Sequence, residues 1–361
     1  MEELSAGTIA ALAGFFGGVV LGFCARWGRF CTLNAIEDAV LGGSNGGLRS
    51  WAIAIAVAMF GAFALDHLDL IDLQQSFYVA NPTSILATIA GSLLFGLGMA
   101  FVGTCGYGCL ARVGGGDLKS VVTFLVMGIS AYATLNGAIA YFRVGVFPVQ
   151  SVPAEPASLA YHGSDWLGIQ PHWVAYMTSI VIAVLALTSK PFQQDKRKLA
   201  SGILVGLVVA WGWFATGYLA KDVFDPYPLE NYTFSAPLGD TIIYIMTMTG
   251  SSLNFGIGAV LCVIAGAAVT SIAQSYFRWE AFDDAREMRR QIIGGFLMGV
   301  GSVTAFGCTI GQGVSAASLL AFSAPIALVS IFIGAWFGLH TLVDGSVKGP
   351  FRALWAIVQN R

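Results

Sequence analysis

"GGFLMGVGSVTAFGCTIGQG", residues 294–313, decides how this chain is read. An uncharged, glycine-studded run long enough to belong to a membrane helix ends at Phe306, and a glycine–cysteine break follows before another apolar run resumes. Laid against residues 91–108, "GSLLFGLGMAFVGTCGYG", it matches at Gly91/Gly294, Leu94/Leu297, Gly96/Gly299, Gly98/Gly301, Cys105/Cys308 and Gly108/Gly311. Shared hydrophobicity does not produce coincidences at glycine and cysteine, so the pair marks an internal repeat.

Composition fixes the setting. Of 361 residues, 56% are hydrophobic and 11% charged, where a soluble domain carries about 25% charged residues. Apolar runs recur from end to end, so the whole chain reads as one polytopic membrane domain of all-α class. Runs of membrane length lie at 7–25, 50–65, 84–103, 118–142, 172–189, 201–219, 253–273, 292–306 and 325–341, giving about nine transmembrane helices. Segments 31–42, 105–113, 232–248 and 308–322 are too short or too glycine-broken to cross and read as re-entrant helices. The acidic start "MEEL" lacks the basic region of a cleaved signal, so the first run is expected to be retained as a span.

Orientation follows from basic residues. Of the eighteen Lys and Arg, all but Arg143 and Lys221 fall in loops on one side, which the positive-inside rule makes cytoplasmic. The C-terminus is then cytoplasmic and the N-terminus periplasmic, with 66–73 and 221–231 outside. The third span corresponds to the eighth, an odd offset, so the copies run in opposite directions as in inverted-repeat transporters. The first repeat takes residues 1–145, an outer loop and linker span 146–199, and the second repeat 200–361.

The cysteines carry the chemistry. A broken helix in a membrane exposes backbone N–H groups, and these together with the helix dipole favour an anion. Around the breaks stand Cys105, Gly106 and Arg112 in one copy, and Gly307, Cys308, Thr309 and Gln312 in the other. A third site is Cys31, after Arg26 and Arg29; its counterpart in the second repeat has no cysteine. A thiol is a soft, polarizable group and adds little for a hard oxyanion, so thiols at such breaks point to a solute that itself offers sulfur or selenium. Cys24 and Cys262 sit inside unbroken apolar helices and read as packing residues, as does Cys109 in part. His67, His162, His172 and His340 stand isolated in the sequence, without metal-ligand spacing. The basic residues form no stripe, which sets nucleic acid aside. No cofactor motif occurs. "WEAFDDAREMRR" reads as a solvated connector, with docking of a partner as its alternative.

"GRFC" (28–31), "GTCGYG" and "RVGGG" (103–116), and "FRWEAFDD" with the stretch at 294–313 resemble the YeeE/YedE family of bacterial sulfur transport proteins over nearly the whole chain. That resemblance implies an inner-membrane transporter of thiosulfate or a related sulfur anion, not an enzyme. Its functional cysteines fall on Cys31, Cys105 and Cys308, lining a narrow waist, and a small cytoplasmic sulfur-carrier protein is implied as partner. Two other readings of the residues stay open: a membrane-embedded thiol enzyme using Cys105 and Cys109, and a passive channel for a neutral solute lined by half-helices.

Overall fold

The computed structural model describes residues 5–81, 84–147, 156–221, 227–282, 284–346 and 349. All regular structure among them is helical. The first part of the chain holds α1 (Ala6–Trp27), α2 (Thr32–Val40), α3 (Gly46–His67), α4 (Phe77–Ala80), α5 (Ile85–Val102), α6 (Gly106–Gly114), α7 (Leu118–Leu135) and α8 (Ala138–Val146). Next come α9 (Leu159–Leu167), α10 (Pro171–Leu187) and α11 (Lys190–Gln194). The last part holds α12 (Lys196–Phe214), α13 (Ala236–Thr247), α14 (Phe255–Ala273), α15 (Ala285–Thr304) and α16 (Ser323–Val343).

Among the described residues, seven helices or joined helix pairs are long and apolar enough to cross a membrane, and eight if α9 and α10, bent by 112°, form one span. Each of the nine runs expected from the sequence contains a helix, but two fall short of that standard for physical reasons. Alone, α10 has 17 residues. α15 begins seven residues earlier than expected, because Asp284 caps it, and Arg286, Glu287, Arg289 and Arg290 occupy its first turns. The run 118–142 also divides: α7 stops at Leu135 and Asn136–Gly137 separates it from α8, as a turn-forming Asn-Gly pair does. The chain is a multi-pass membrane protein. Lys348, Arg352 and Arg361, which helped to set its expected orientation, lie outside the described residues, as do residues 1–4 and parts of the expected outer loop 221–231.

Small residues bring the long helices together. α1 lies along α14 and α3 along α12, while α5 packs against both α15 and α16, and α15 against α7. At the α5–α15 crossing a Cβ on Gly91 would sit 2.7 Å from the Gly301 carbonyl oxygen, and one on Gly301 would sit 2.6 Å from that of Gly91. Gly98 and Gly294 meet in the same way, at 2.6 and 2.8 Å. Real Cβ atoms do not come so close, so the crossing requires glycine on both helices. Several buried hydroxyls are satisfied within their own helix: Thr134, Thr241 and Thr270 each donate to the carbonyl four residues back.

The four short segments are helical too. α2, α6 and α13 start directly after Cys31, Cys105 and Ser235, and residues after Cys308 run into a wide-turn segment at Gly311–Ala316. α2 packs on α3 and α16, α13 on α14 and α7, α6 on α7 and α14, and the wide-turn segment on α16 and α3.

Candidate functional site

α5 ends on Gly103, in the left-handed region at φ 82. Thr104 follows, and Cys105 is the N-cap of α6, its Sγ accepting the Gly108 amide at 3.4 Å. Gly106 is the first residue of that helix; a Cβ there would come 3.0 Å from the Phe234 carbonyl oxygen. Cys31 is the N-cap of α2; its thiol meets the Thr104 hydroxyl at 3.7 Å, and a Cβ on Gly108 would stand 3.4 Å from the Cys31 sulfur and 3.6 Å from that of Cys105. Two of the three expected cysteines are thus gathered around Gly108, although 73 residues separate Cys31 from Thr104.

Cys308 is reached by a tight turn in which Phe306 has φ 60 and Gly307 φ 156. The second value lies where side chains are strained, which accounts for glycine at 307. The Cys308 sulfur accepts the Phe234 amide at 3.1 Å and the Gly311 amide at 3.5 Å, and stands 3.8 Å from the Thr233 hydroxyl. Thr233 in turn lies 3.3 Å from Ser235, and its hydroxyl and that of Tyr78 both close over Gly311, where a Cβ would come within 2.6 and 2.9 Å of them. The Cys308 sulfur thus accepts two backbone amides and that of Cys105 one, so the S–H of each can act as a donor, the Thr233 hydroxyl being the group that faces the Cys308 thiol.

The remaining expected residues divide. Thr309 is fully buried and its hydroxyl has no partner among the described residues; Thr32, which follows Cys31 as Thr309 follows Cys308, shares that condition. Gln312 is structural: its amide donates to the Ala305 carbonyl at 2.8 Å and accepts from Ser323 at 3.0 Å, tying the end of α15 to the start of α16. Arg112 donates to the Gly103 carbonyl at 2.7 Å, closing the turn below Cys105, and also faces a cavity of about 390 Å³ with Cys31, Thr104, Arg26 and Arg29. Cys109 donates to the Ser120 carbonyl at 3.1 Å between α6 and α7. Cys24 and Cys262 are buried within α1 and α14.

Three groups escaped the sequence reading. The hydroxyls of Thr104 and Thr233 are brought to the Cys31 and Cys308 thiols by the fold, and Ser235 stands behind Thr233. His67 and His172, isolated in sequence, have ring centroids 4.1 Å apart on α3 and α10. Arg278 and Glu280, in the "FRWEAFDD" connector, donate their amides to the Gly115 and Gly116 carbonyls, so this loop is laid against the end of α6. Among the described residues no three His, Cys, Asp or Glu converge as a metal ion would need.

Comparison with known proteins bears on this arrangement. The profile described as sulphur transport matches residues 27–337, from just before Cys31 to beyond Cys308. The chain belongs to the sulphur transport family. Family membership makes it a transport protein and not an enzyme. Two relatives carry the name thiosulfate transporter TsuA. The one from Spirochaeta thermophila is 28% identical over 335 residues, covering 90% of this chain and 96% of its own length. The one from Escherichia coli K12 is 25% identical over 366 residues, covering 90% of this chain and 92% of its own length.

Proposed function

We propose that this protein takes up thiosulfate, or a closely related sulfur anion, through a central waist lined by the thiols of Cys31, Cys105 and Cys308. The observation that carries the proposal is the placement of these sulfurs. Each sits at a break between a long helix and a short one, and Cys105 and Cys308 are held there by backbone N–H donors. An S–H donor held this way suits an anion with a soft terminal sulfur, and the unpartnered Thr309 and Thr32 hydroxyls beside it suit the hard oxygens at its other end. The names of the two relatives support the same solute.

The short helices are re-entrant in this reading, and residues 1–145 and 200–361 are inverted repeats joined through 146–199. Reciprocal packing supports this. The α1–α14 contact has its counterpart in α12–α3, and α5–α16 in α15–α7. Gly91 meets Gly301 while their repeat equivalents, Gly294 and Gly98, meet each other, as a two-fold axis through the α5–α15 crossing requires. Cys31, after Phe30, then corresponds to Ser235, after Phe234: a hydroxyl stands where the first repeat has a thiol. The membrane is the bacterial inner membrane, with the arginine-lined end at the cytoplasm and a small sulfur-carrier protein receiving the ion there.

The enzyme alternative loses its second thiol, since Cys109 is committed to the Ser120 carbonyl. The test is uptake of labelled thiosulfate by cells lacking other sulfur importers, with and without this protein, in the presence of excess sulfate. Uptake that depends on the protein and resists sulfate is expected. Equal competition by sulfate would sink the thiol role, because sulfate has no soft sulfur to meet it.

A further inference from the structure

Cys31 lies where two cavities meet, and their charges differ. The smaller, of about 180 Å³, runs past Arg29 and Asn34 to Glu37, Asp38 and Lys198. The larger, of about 390 Å³, is lined by Arg26, Arg29 and Arg112 with Asn34 and Thr104, and no carboxylate lines it. Its guanidinium groups have no carboxylate within ion-pair distance among the described residues. Arg26 donates to the Ala111 carbonyl at 3.1 Å and Arg112 to that of Gly103 at 2.7 Å, contacts that orient each fork without cancelling its charge. Asp117 and Glu280 act on Arg26 from farther off, and Asp117 is already occupied as the cap of α7. Arg29 is exposed and holds a left-handed backbone at φ 51. That conformation is costly for a residue with a Cβ, and such strain collects at functional positions.

We propose that this arginine cavity is a second anion site, distinct in chemistry from the thiols, that binds a tetrahedral oxyanion of charge −2 by its oxygens. Three like charges held close together repel one another, and a dianion relieves that repulsion while guanidinium forks match its oxygen edges. The site reads charge and oxygen geometry, not sulfur, so sulfate binds it although sulfate is not passed by the thiols. An ion leaving Cys31 is drawn into this cavity and away from the one that carries Glu37 and Asp38.

The inference rests on the transport reading of the same path, and binding separates the two. Purified protein is titrated calorimetrically with sulfate at fixed ionic strength, since screening weakens exposed charges. Wild type is expected to bind sulfate saturably, and Arg29→Gln and Arg26→Gln each to weaken it by about tenfold or more, the scale of one charge-assisted contact. Arg29 makes no hydrogen bond that the fold depends on, so its variant stays folded, and melting temperature checks this. Cys308→Ser is expected to bind sulfate as wild type does while failing to take up thiosulfate. No saturable sulfate binding, or binding indifferent to both arginine substitutions, overturns the site even if thiosulfate uptake is intact. If sulfate binding follows the arginines while no thiosulfate is transported, the site stands and the transport reading falls.

Discussion

The Cys308 thiol accepts the Phe234 amide at 3.1 Å, across 74 residues of chain. This contact joins two helix breaks: the one after α15, where the cysteine stands, and the one before α13, where Phe234 and Ser235 stand. It also separates two roles that a substitution at 308 would otherwise confuse, acceptor for the fold and donor for the ion.

Cys308→Ala leaves the Phe234 amide buried without its acceptor, so it is expected to lower stability by about 1–3 kcal/mol as well as to abolish thiosulfate uptake. Cys308→Ser keeps an acceptor in place and removes only the soft sulfur. It is expected to be produced at wild-type levels with a melting temperature close to wild type, yet to lose most uptake. Uptake, membrane yield and melting temperature measured together decide the matter. A serine variant that transports normally would mean that the sulfur is there for packing.

The α5–α15 crossing gives a prediction about the fold alone. A Cβ at Gly301 would stand 2.6 Å from both the Gly91 carbonyl oxygen and the Phe95 nitrogen. Both are backbone atoms and cannot rotate away, so the helices must separate. Gly301→Ala is expected to destabilise the protein by about 1–3 kcal/mol, the range for overpacking, and to reduce the yield of folded protein in the membrane. Gly145→Ala, where no atom lies within 4 Å of the added Cβ, is the matched control and should be silent. Equal yields for the two variants would contradict this close approach.

Much of this architecture was legible in the sequence, for reasons that can be named. Long apolar runs mark helices because the bilayer leaves the backbone no other way to satisfy its polar groups. Cys105 and Cys308 could be paired because the glycines that permit the α5–α15 crossing, Gly91 and Gly98 on one helix and Gly294 and Gly301 on the other, precede them at matching spacings. Hydroxyls were the blind spot. Thr104 and Thr233 meet the Cys31 and Cys308 thiols only because remote segments fold back, and threonine and serine are common in membrane helices, so neither composition nor spacing singles them out. Gln312 has a role in the fold that its sequence context does not announce. A lone amide beside a glycine break invites assignment to a ligand, whereas in the fold it fastens α15 to α16 through Ala305 and Ser323. The start of α15 was placed late because a hydropathy window ignores a cap and a charged first turn.

Cys109 and Cys262 offer contrasting controls. Cys262 is buried in α14 against Gly18 of α1, with no helix break beside it, so Cys262→Ala should transport normally and lose only the little stability that one sulfur's packing supplies. Cys109→Ala removes a donor to the Ser120 carbonyl; it should lower the melting temperature more than Cys262→Ala while sparing uptake by whatever protein remains folded. Uptake per folded molecule is the quantity to compare. A loss confined to Cys109→Ala would place its thiol on the ion's path.

Accessibility of the thiols provides a test of sidedness that needs no substitution to begin with. Cys24, Cys105, Cys109, Cys262 and Cys308 are buried, while Cys31 is partly exposed and lines both cavities at the arginine end of the molecule. If that end faces the cytoplasm, as proposed from the distribution of basic residues, a membrane-impermeant methanethiosulfonate reagent should modify one cysteine per chain in everted vesicles and none in right-side-out vesicles. Cys31→Ser should remove the labelling altogether. Thiosulfate should slow it, because the ion and the reagent compete for the same sulfur, and sulfate should slow it through the neighbouring arginines, an effect that Arg29→Gln should diminish. Mass spectrometry of the labelled peptide identifies the residue. Labelling of Cys308 from the opposite side at a comparable rate would show that the buried thiols open to the periplasm during the transport cycle, whereas labelling of Cys31 from the periplasmic side would reverse the orientation assigned to every helix.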